Sequence, residues 1–140
     1  MKNPSYQLRT ALYTLLNGTI SINSATVPAY DVVPRTVDFP YIRIGETYVI
    51  ENSDKTHDGT TVAVDIYAVT GYEGDYGGQK DSDDISNGIL LLVNSKTNPT
   101  LSGFSAYITE LVSSNTLTER TETHILITNI LRLRFNIQQI

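Results

Sequence analysis

Any acid–base or nucleophilic chemistry in this chain would have to use one of two histidines, because the sequence contains no cysteine. His57 stands in a polar segment and His124 precedes an alternating apolar run, and no recognisable nucleophile or acid motif flanks either. The lack of cysteine also excludes thiolate catalysis, cysteine-ligated zinc and iron–sulfur clusters. We therefore predict no catalytic residues. A small hydrolase or ligand-binding domain, the rival interpretation, would need an enclosed pocket that holds one histidine beside a carboxylate.

Metal and nucleotide sites have weak sequence support. Aspartates at 81, 83 and 84 resemble part of a calcium loop, but Ile85 stands where the EF-hand pattern needs an oxygen ligand, and helix capping explains these acids better. The glycines at 71, 74, 77 and 78 fit neither phosphate-binding spacing. A cation on the polar loop residues Asp54, His57 and Asp58 would be adventitious. We predict no cofactor and no metal.

Length and charge limit the remaining classes of function. A chain of 140 residues corresponds to one domain. Its net charge of -5, with only 18% charged residues, disfavours electrostatic binding to nucleic acid. The longest apolar runs are far shorter than the roughly 20 residues of a membrane span. We expect a soluble, single-domain protein over residues 1–140 that contacts no membrane.

Periodicity predicts an α+β domain, in which a mainly antiparallel sheet carries two helices in the order α-β-β-β-α-β-β. Asn3 and Pro4 suit the start of a Leu-rich first helix, and Asp81 or Ser82 suits the start of the second. The short extended stretch between Pro28 and Pro34 fits only at a sheet edge or at the end of a strand. The predicted strands are 27–33, 41–51, 61–70, the run from 104 to 112 and the run that begins at His124.

The polar and glycine-rich connections are the predicted contact surfaces. Segment 52–60 is too polar to pack inward and links the second and third strands, whereas segment 71–80 combines four glycines with two tyrosines. In the last strand two arginines share the face opposite its apolar residues, where an acidic neighbouring subunit would fit. The candidate interface residues are Asp54, His57, Asp58, Tyr72, Asp75, Tyr76, Arg132 and Arg134.

One stretch carries a family resemblance. The segments YDVVP, at 30–34, and DFPYIRIGE, at 38–46, resemble the motif region of the tail-completion, or tail terminator, family of tailed bacteriophages. The Leu-rich helix before them and the LRLRFNI strand near the end agree with that family in order. The motif residues, to which we assign a structural role, are Tyr30, Asp31, Pro34, Phe39, Pro40, Tyr41, Gly45 and Glu46.

The resemblance implies a non-enzymatic virion protein that forms a ring, generally a hexamer and alternatively a dodecamer. Such a ring ends the tail tube or joins it to the head connector or portal proteins, and it is assembled in the cytoplasm of the bacterial host. DNA would pass through its lumen without sequence-specific binding. The alternative within this class is a head-completion or neck ring that contacts the portal.

Overall fold

The computed structural model describes residues 2–51, 53, 59–73, 77–93 and 99–140, with the backbone alone at 107 and 108. Of the eight strands in this part of the chain, four are long and four contain only two residues. In chain order the elements are α1 (Ser5–Leu16), β1 (Ser21–Ile22), β2 (Ala25–Thr26), β3 (Ala29–Tyr30), β4 (Tyr41–Glu51), β5 (Gly59–Glu73), α2 (Lys80–Leu92), β6 (Thr100–Leu101), β7 (Phe104–Arg120) and β8 (His124–Gln139).

A six-stranded sheet with the order β3-β4-β5-β8-β7-β6 forms the body of the protein, and β1 and β2 make a separate hairpin. All pairings in the large sheet are antiparallel except that of β3 with β4, which is parallel. The α+β class and the mainly antiparallel sheet are confirmed. The pairing of β3 with β4 is parallel because residues 31–40 bring the chain back to run alongside β3 in the same direction.

Both helices pack on one face of this sheet. The buried stripe of α1 is Leu8, Leu12 and Leu16, and that of α2 includes Ile85 and Ile89. These side chains join one core with alternate residues of the central strands. On β5 and β8 the core residues are Val62, Val64, Ile66 and Ala68, and Leu131, Leu133, Phe135 and Ile137. The opposite side of the sheet is called the open face below, since neither helix covers it.

A β-bulge in β4 reverses its side-chain alternation. The register with β5 shifts between Ile44 and Thr47, so that Ile44 is buried whereas Tyr48 and Ile50 are 49% and 67% exposed. Val49 packs against the core in their place. A simple alternation along 41–51 would put Ile44 and Ile50 on one face, and it fails after Gly45 because a bulge inserts an extra residue into one strand.

Other boundaries also differ from prediction. The predicted strand 27–33 contains only Ala29 and Tyr30, and β5 continues through Gly71 and Tyr72 into the segment predicted to be a loop. Helix α2 begins at Lys80 rather than at Asp81 or Ser82. Strand β7 extends to Arg120, well beyond the predicted end near Val112, because pairing with β8 supports a segment that has little apolar periodicity.

Candidate assembly surface

The aromatic residues of the YDVVP and DFPYIRIGE segments lie together where β3 and β4 begin. Tyr30 meets Tyr41 edge to face with ring centroids 6.2 Å apart, and Phe39 stacks on Tyr41 at 5.7 Å. Phe39 covers Gly71 of β5, where an added Cβ would lie 2.5 Å from its ring. Phe39 itself remains 38% exposed, so the cluster is half core and half surface. Burial raises the pKa of Tyr41, with a smaller opposing effect of Arg43.

The bulge at Gly45 is filled by Tyr67 of β5. A Cβ on Gly45 would lie 2.4 Å from the Tyr67 ring and 2.8 Å from the backbone oxygen of Asp65, so no larger residue fits without movement. The guanidinium of Arg43 lies 4.1 Å from the centre of the same ring, and the Tyr67 hydroxyl donates a 2.9 Å hydrogen bond to Glu46. The glycine and the glutamate of the motif are thus explained by one tyrosine in the next strand.

That hydrogen bond changes the ionisation of both partners. The pKa of Tyr67 is raised, first by burial and then by the bond to Glu46. The pKa of Glu46 is lowered, first by a hydrogen bond from its own backbone amide and then by the Tyr67 hydroxyl. The hydrogen bond from Tyr67 to Glu46 is therefore strongest when Tyr67 is neutral and Glu46 is ionised.

Arg9 of α1 connects the helix to this bulge. Its guanidinium donates to the carbonyl oxygen of Ile44 at 2.9 Å and also to that of Gly45, and it forms an ion pair with Asp31. Burial is the largest effect on Arg9 and lowers its pKa. Sequence reasoning missed Arg9. The only sequence signal was a cation on the polar side of α1 and an acid after β3, which does not specify a contact.

The two arginines predicted to face a neighbouring subunit are ion-paired within the chain. Arg132 binds Asp65 through two bonds, Nε to Oδ1 at 2.8 Å and a second nitrogen to Oδ2 at 3.1 Å, and it lies 5.2 Å from the centre of the Tyr48 ring. Arg134 pairs with Glu110 of β7. Bonding to Asp65 raises the pKa of Arg132. An acidic neighbour would therefore have to compete with Asp65 and Glu110 for these cations.

Tyr72 is the one candidate of the glycine-rich segment that the structure describes. Its hydroxyl lies 3.0 Å from Asp81 Oδ2 and 3.1 Å from the Gly78 carbonyl oxygen, and its ring occupies the space beside Gly77. Burial and then the bond to Asp81 raise its pKa. Tyr72 thus joins the end of β5 to the start of α2. The remaining loop candidates Asp54, His57, Asp58, Asp75 and Tyr76 lie outside the described residues.

The sequence matches a known family over most of its length. The family model described as Tail completion protein gp17 matches residues 8–126. The chain belongs to this family. It is accordingly a structural, non-enzymatic protein of a virion tail, as the YDVVP and DFPYIRIGE segments predicted.

A solved structure supports the fold. A chain from the virion of a native gene transfer agent particle superposes with a TM-score of 0.72 at 17% sequence identity, covering 97% of this chain and 99% of the other. At that identity the likeness shows a shared architecture. No curated protein sequence matches the chain significantly.

Among the described residues of this tail-completion family member, His124 is the histidine that a hydrolase would use, and no ion pair joins it to a carboxylate there. His124 is near the surface, and its Nδ1 lies 2.7 Å from the hydroxyl of the adjacent Thr123. A groove of about 730 Å³ lies beside α1, and its described lining includes no histidine or carboxylate. The lining residues are Tyr6, Gln7, Thr10, Ala11, Thr14, Leu15, Thr19, Pro99, Thr100 and Ser102. Over the same part of the chain, no three metal-binding side chains cluster, and neither helix is long and apolar enough to cross a membrane.

Proposed function

We propose that this protein is the ring-forming subunit at the junction of tail and neck, where it ends the tail tube and joins it to the head connector. The observation that carries the proposal is the family match over residues 8–126. A hexamer is the expected ring, and DNA passes through its lumen. A subunit of such a ring presents two different surfaces to its two neighbours, because rotation closes a ring through heterologous contacts.

The architecture supports this role through its two unlike sides. One side carries α1 and α2 over the core, and the other is the open face, with Arg132 and Arg134 neutralised by their own acids. The bidentate pair of Arg132 and Asp65 holds both side chains in fixed positions. Such a face is suited to repeated, well-defined contacts rather than to capturing a charged ligand.

The test is the phenotype of a particle-producing host that lacks this chain. A protein that ends the tail tube, when absent, leaves tails of uncontrolled length that do not join heads. Electron microscopy of the lysate measures tail length and attachment directly. Tails of normal length beside heads that leak DNA would instead assign the protein to a head-completion or neck ring at the portal, and normal infectious particles would overturn both assignments.

A further inference from the structure

Along each of its two sides, the main sheet has a segment beside which no further strand of the described residues lies. Strand β6 pairs with β7 only at 104 and 105, and no other described strand lies outside the remainder of β7, which continues to Arg120. On the other side β3 pairs with β4 only at 42 and 43. After the bulges, 113–120 of β7 and 47–51 of β4 run in regular register on their inner sides. We call these two segments the β7 edge and the β4 edge.

Most of the β7 edge carries neither a charge nor a proline, although it ends in Glu119 and Arg120 and follows the register shifts in β7. Natural proteins shield exposed strand edges with charged side chains, proline, β-bulges or a covering element. From Leu111 to Thr118 the sequence is LVSSNTLT, without a charge or a proline, and every residue from Glu110 to Arg120 is exposed. Its outer N–H and C=O groups repeat at the spacing that another β-strand supplies. An uncharged run of this length along a strand edge is suited to pairing with another β-strand.

The β4 edge of a second copy has the correct direction to be that strand. Strands β5 and β8 separate β4 from β7, and each successive pair is antiparallel, so β4 and β7 run in opposite directions. Suppose that the rotation relating neighbouring subunits of a ring also extends the sheet from one subunit into the next. The neighbour's β4 then lies antiparallel to β7, and the open faces of the two subunits lie on the same side of the combined sheet. Only a head-to-tail contact brings these two edges together.

The positions of the two edges also suit a closed ring. The β4 edge lies beside 60–64 of β5 and thus near 133–137 of β8, whereas the β7 edge pairs with 125–132 of β8. The edges are consequently at opposite ends of the sheet, and joining them displaces each subunit along the strands. Closure of a sheet into a ring requires this stagger between tilted strands.

Exposed apolar side chains lie on both edges and at the register shift in β7 that precedes the β7 edge. Among the large hydrophobic residues that are exposed in the described part of the chain, three lie on β7 and two on the β4 edge. Their exposed fractions are Leu111 48%, Val112 50%, Leu117 50%, Tyr48 49% and Ile50 67%. Cross-strand apolar pairs of this type stabilise antiparallel sheets.

We propose that the β7 edge of each subunit pairs antiparallel with the β4 edge of the next copy, so that one continuous sheet runs around the ring. This inference rests on the proposed ring function and specifies the contact that builds the ring.

Disulfide trapping tests the contact, and the natural absence of cysteine makes the chain suitable for it. Ile50→Cys is combined in turn with Asn115→Cys, Leu117→Cys or Glu119→Cys, which share the open face. Within one subunit the edges are three strand spacings apart, about 14 Å, beyond disulfide reach. Any bond therefore joins two copies. The control pairs Ile50→Cys with Thr128→Cys, which is on the same face but in interior strand β8.

The proposal predicts that mild oxidation of assembled protein yields a ladder of multimers from at least one edge pair and none from the control. Rings of unchanged mass whose edge pairs cross-link no more than the control would overturn the pairing and leave the ring function intact. A protein that stays monomeric and is missing from particles would contradict the ring function itself.

A charge placed on the β7 edge gives a second, independent readout. Leu117→Lys places a lysine in the proposed contact, and a lysine on an exposed strand edge opposes pairing with another strand. We expect a folded subunit whose assembly, measured by sedimentation, is weakened at least tenfold. Tyr6→Lys, at a 75% exposed position of α1, is the matched control and should assemble normally. Unchanged assembly of Leu117→Lys would contradict the proposal.

Discussion

Individual residues of the YDVVP and DFPYIRIGE segments are explained by contacts that lie outside those segments. Gly45 makes room for Tyr67, Glu46 accepts its hydroxyl, and Asp31 pairs with Arg9, which binds the carbonyl groups at the bulge. The sequence indicated that these positions have a structural role. It did not reveal Arg9 or Tyr67, because a contact between residues distant in sequence leaves no local periodicity.

Gly45→Ala should destabilise the fold by about 1–3 kcal/mol, the usual cost of forcing extra atoms into a packed site. The added methyl meets both the Tyr67 ring and the fixed backbone of Asp65. Urea denaturation of the purified variant measures the change. Gly78→Ala is the matched control, since nothing lies within 4 Å of its Cβ position. Equal stability of the two variants would contradict this account of the bulge.

Tyr67→Phe should lower the free energy of unfolding by about 1 kcal/mol near neutral pH, the value of one hydrogen bond. Because folding lowers the pKa of Glu46, this carboxylate adds to the free energy of unfolding at pH values above the pKa of a glutamate in the unfolded chain, about 4.3. That stabilisation is lost as the pH falls and Glu46 becomes protonated. Because folding raises the pKa of Tyr67, its hydroxyl adds to the free energy of unfolding at pH values below the pKa of a tyrosine in the unfolded chain, about 10. That stabilisation is lost as the pH rises and Tyr67 becomes ionised. Unfolding curves from pH 3 to 11 should therefore show the difference between wild type and variant shrinking at both ends; a constant difference would contradict the linkage.

At the scale of elements, strong periodicity was a reliable guide. The apolar residues of β8, from Ile125 to Ile137, were assigned to one face, and the structure buries them with Asn129 between them. Helix α1 begins at Ser5 with Pro4 at the N-cap position, close to the predicted start, and Asn3 accepts a 2.9 Å hydrogen bond from the Ser5 amide. These elements could be predicted because each carries its own hydrophobic pattern.

The elements that were missed depend on their partners. The β1–β2 hairpin turns through Asn23 and Ser24 with positive φ, although neither is glycine, and its strands have no apolar alternation. The distal half of β7 is supported by β8, where buried Asn129 bonds to Ser114 and Thr116. Polar pairing of this kind replaces the periodicity that identifies a half-buried strand.

Leu12→Ala should cost about 2–5 kcal/mol, because the side chain is fully buried and its removal leaves a cavity under α1. Thermal or urea unfolding measures the loss. Thr10→Ala, at an exposed position of the same helix, should change stability by no more than about 0.5 kcal/mol. If Leu12→Ala proved as mild as Thr10→Ala, α1 would not be part of the core.

For the whole molecule, a test of the two predicted contact segments, 52–60 and 71–80, has to leave in place the residues that pack within the fold. Removing all of 71–80 would delete Gly71 and Tyr72, which pack against Phe39 and Asp81, and would damage the fold. Replacing only 54–58 with Asn-Gly, or only 74–76 with a Gly-Ser linker, should leave a folded subunit with impaired assembly into particles. Circular dichroism checks the fold and complementation of a null host checks assembly. Full complementation by both variants would remove these loops from the assembly surface.

The proposed function requires this protein to act as a closed ring of identical subunits, and the mass of the assembled protein shows whether it does. Native mass spectrometry of the purified chain across a range of concentrations, and of the complex released from particles, counts the copies. We expect a discrete species of six copies, or of twelve as the alternative. A protein that remains a single copy at every concentration and is absent from purified particles would contradict it.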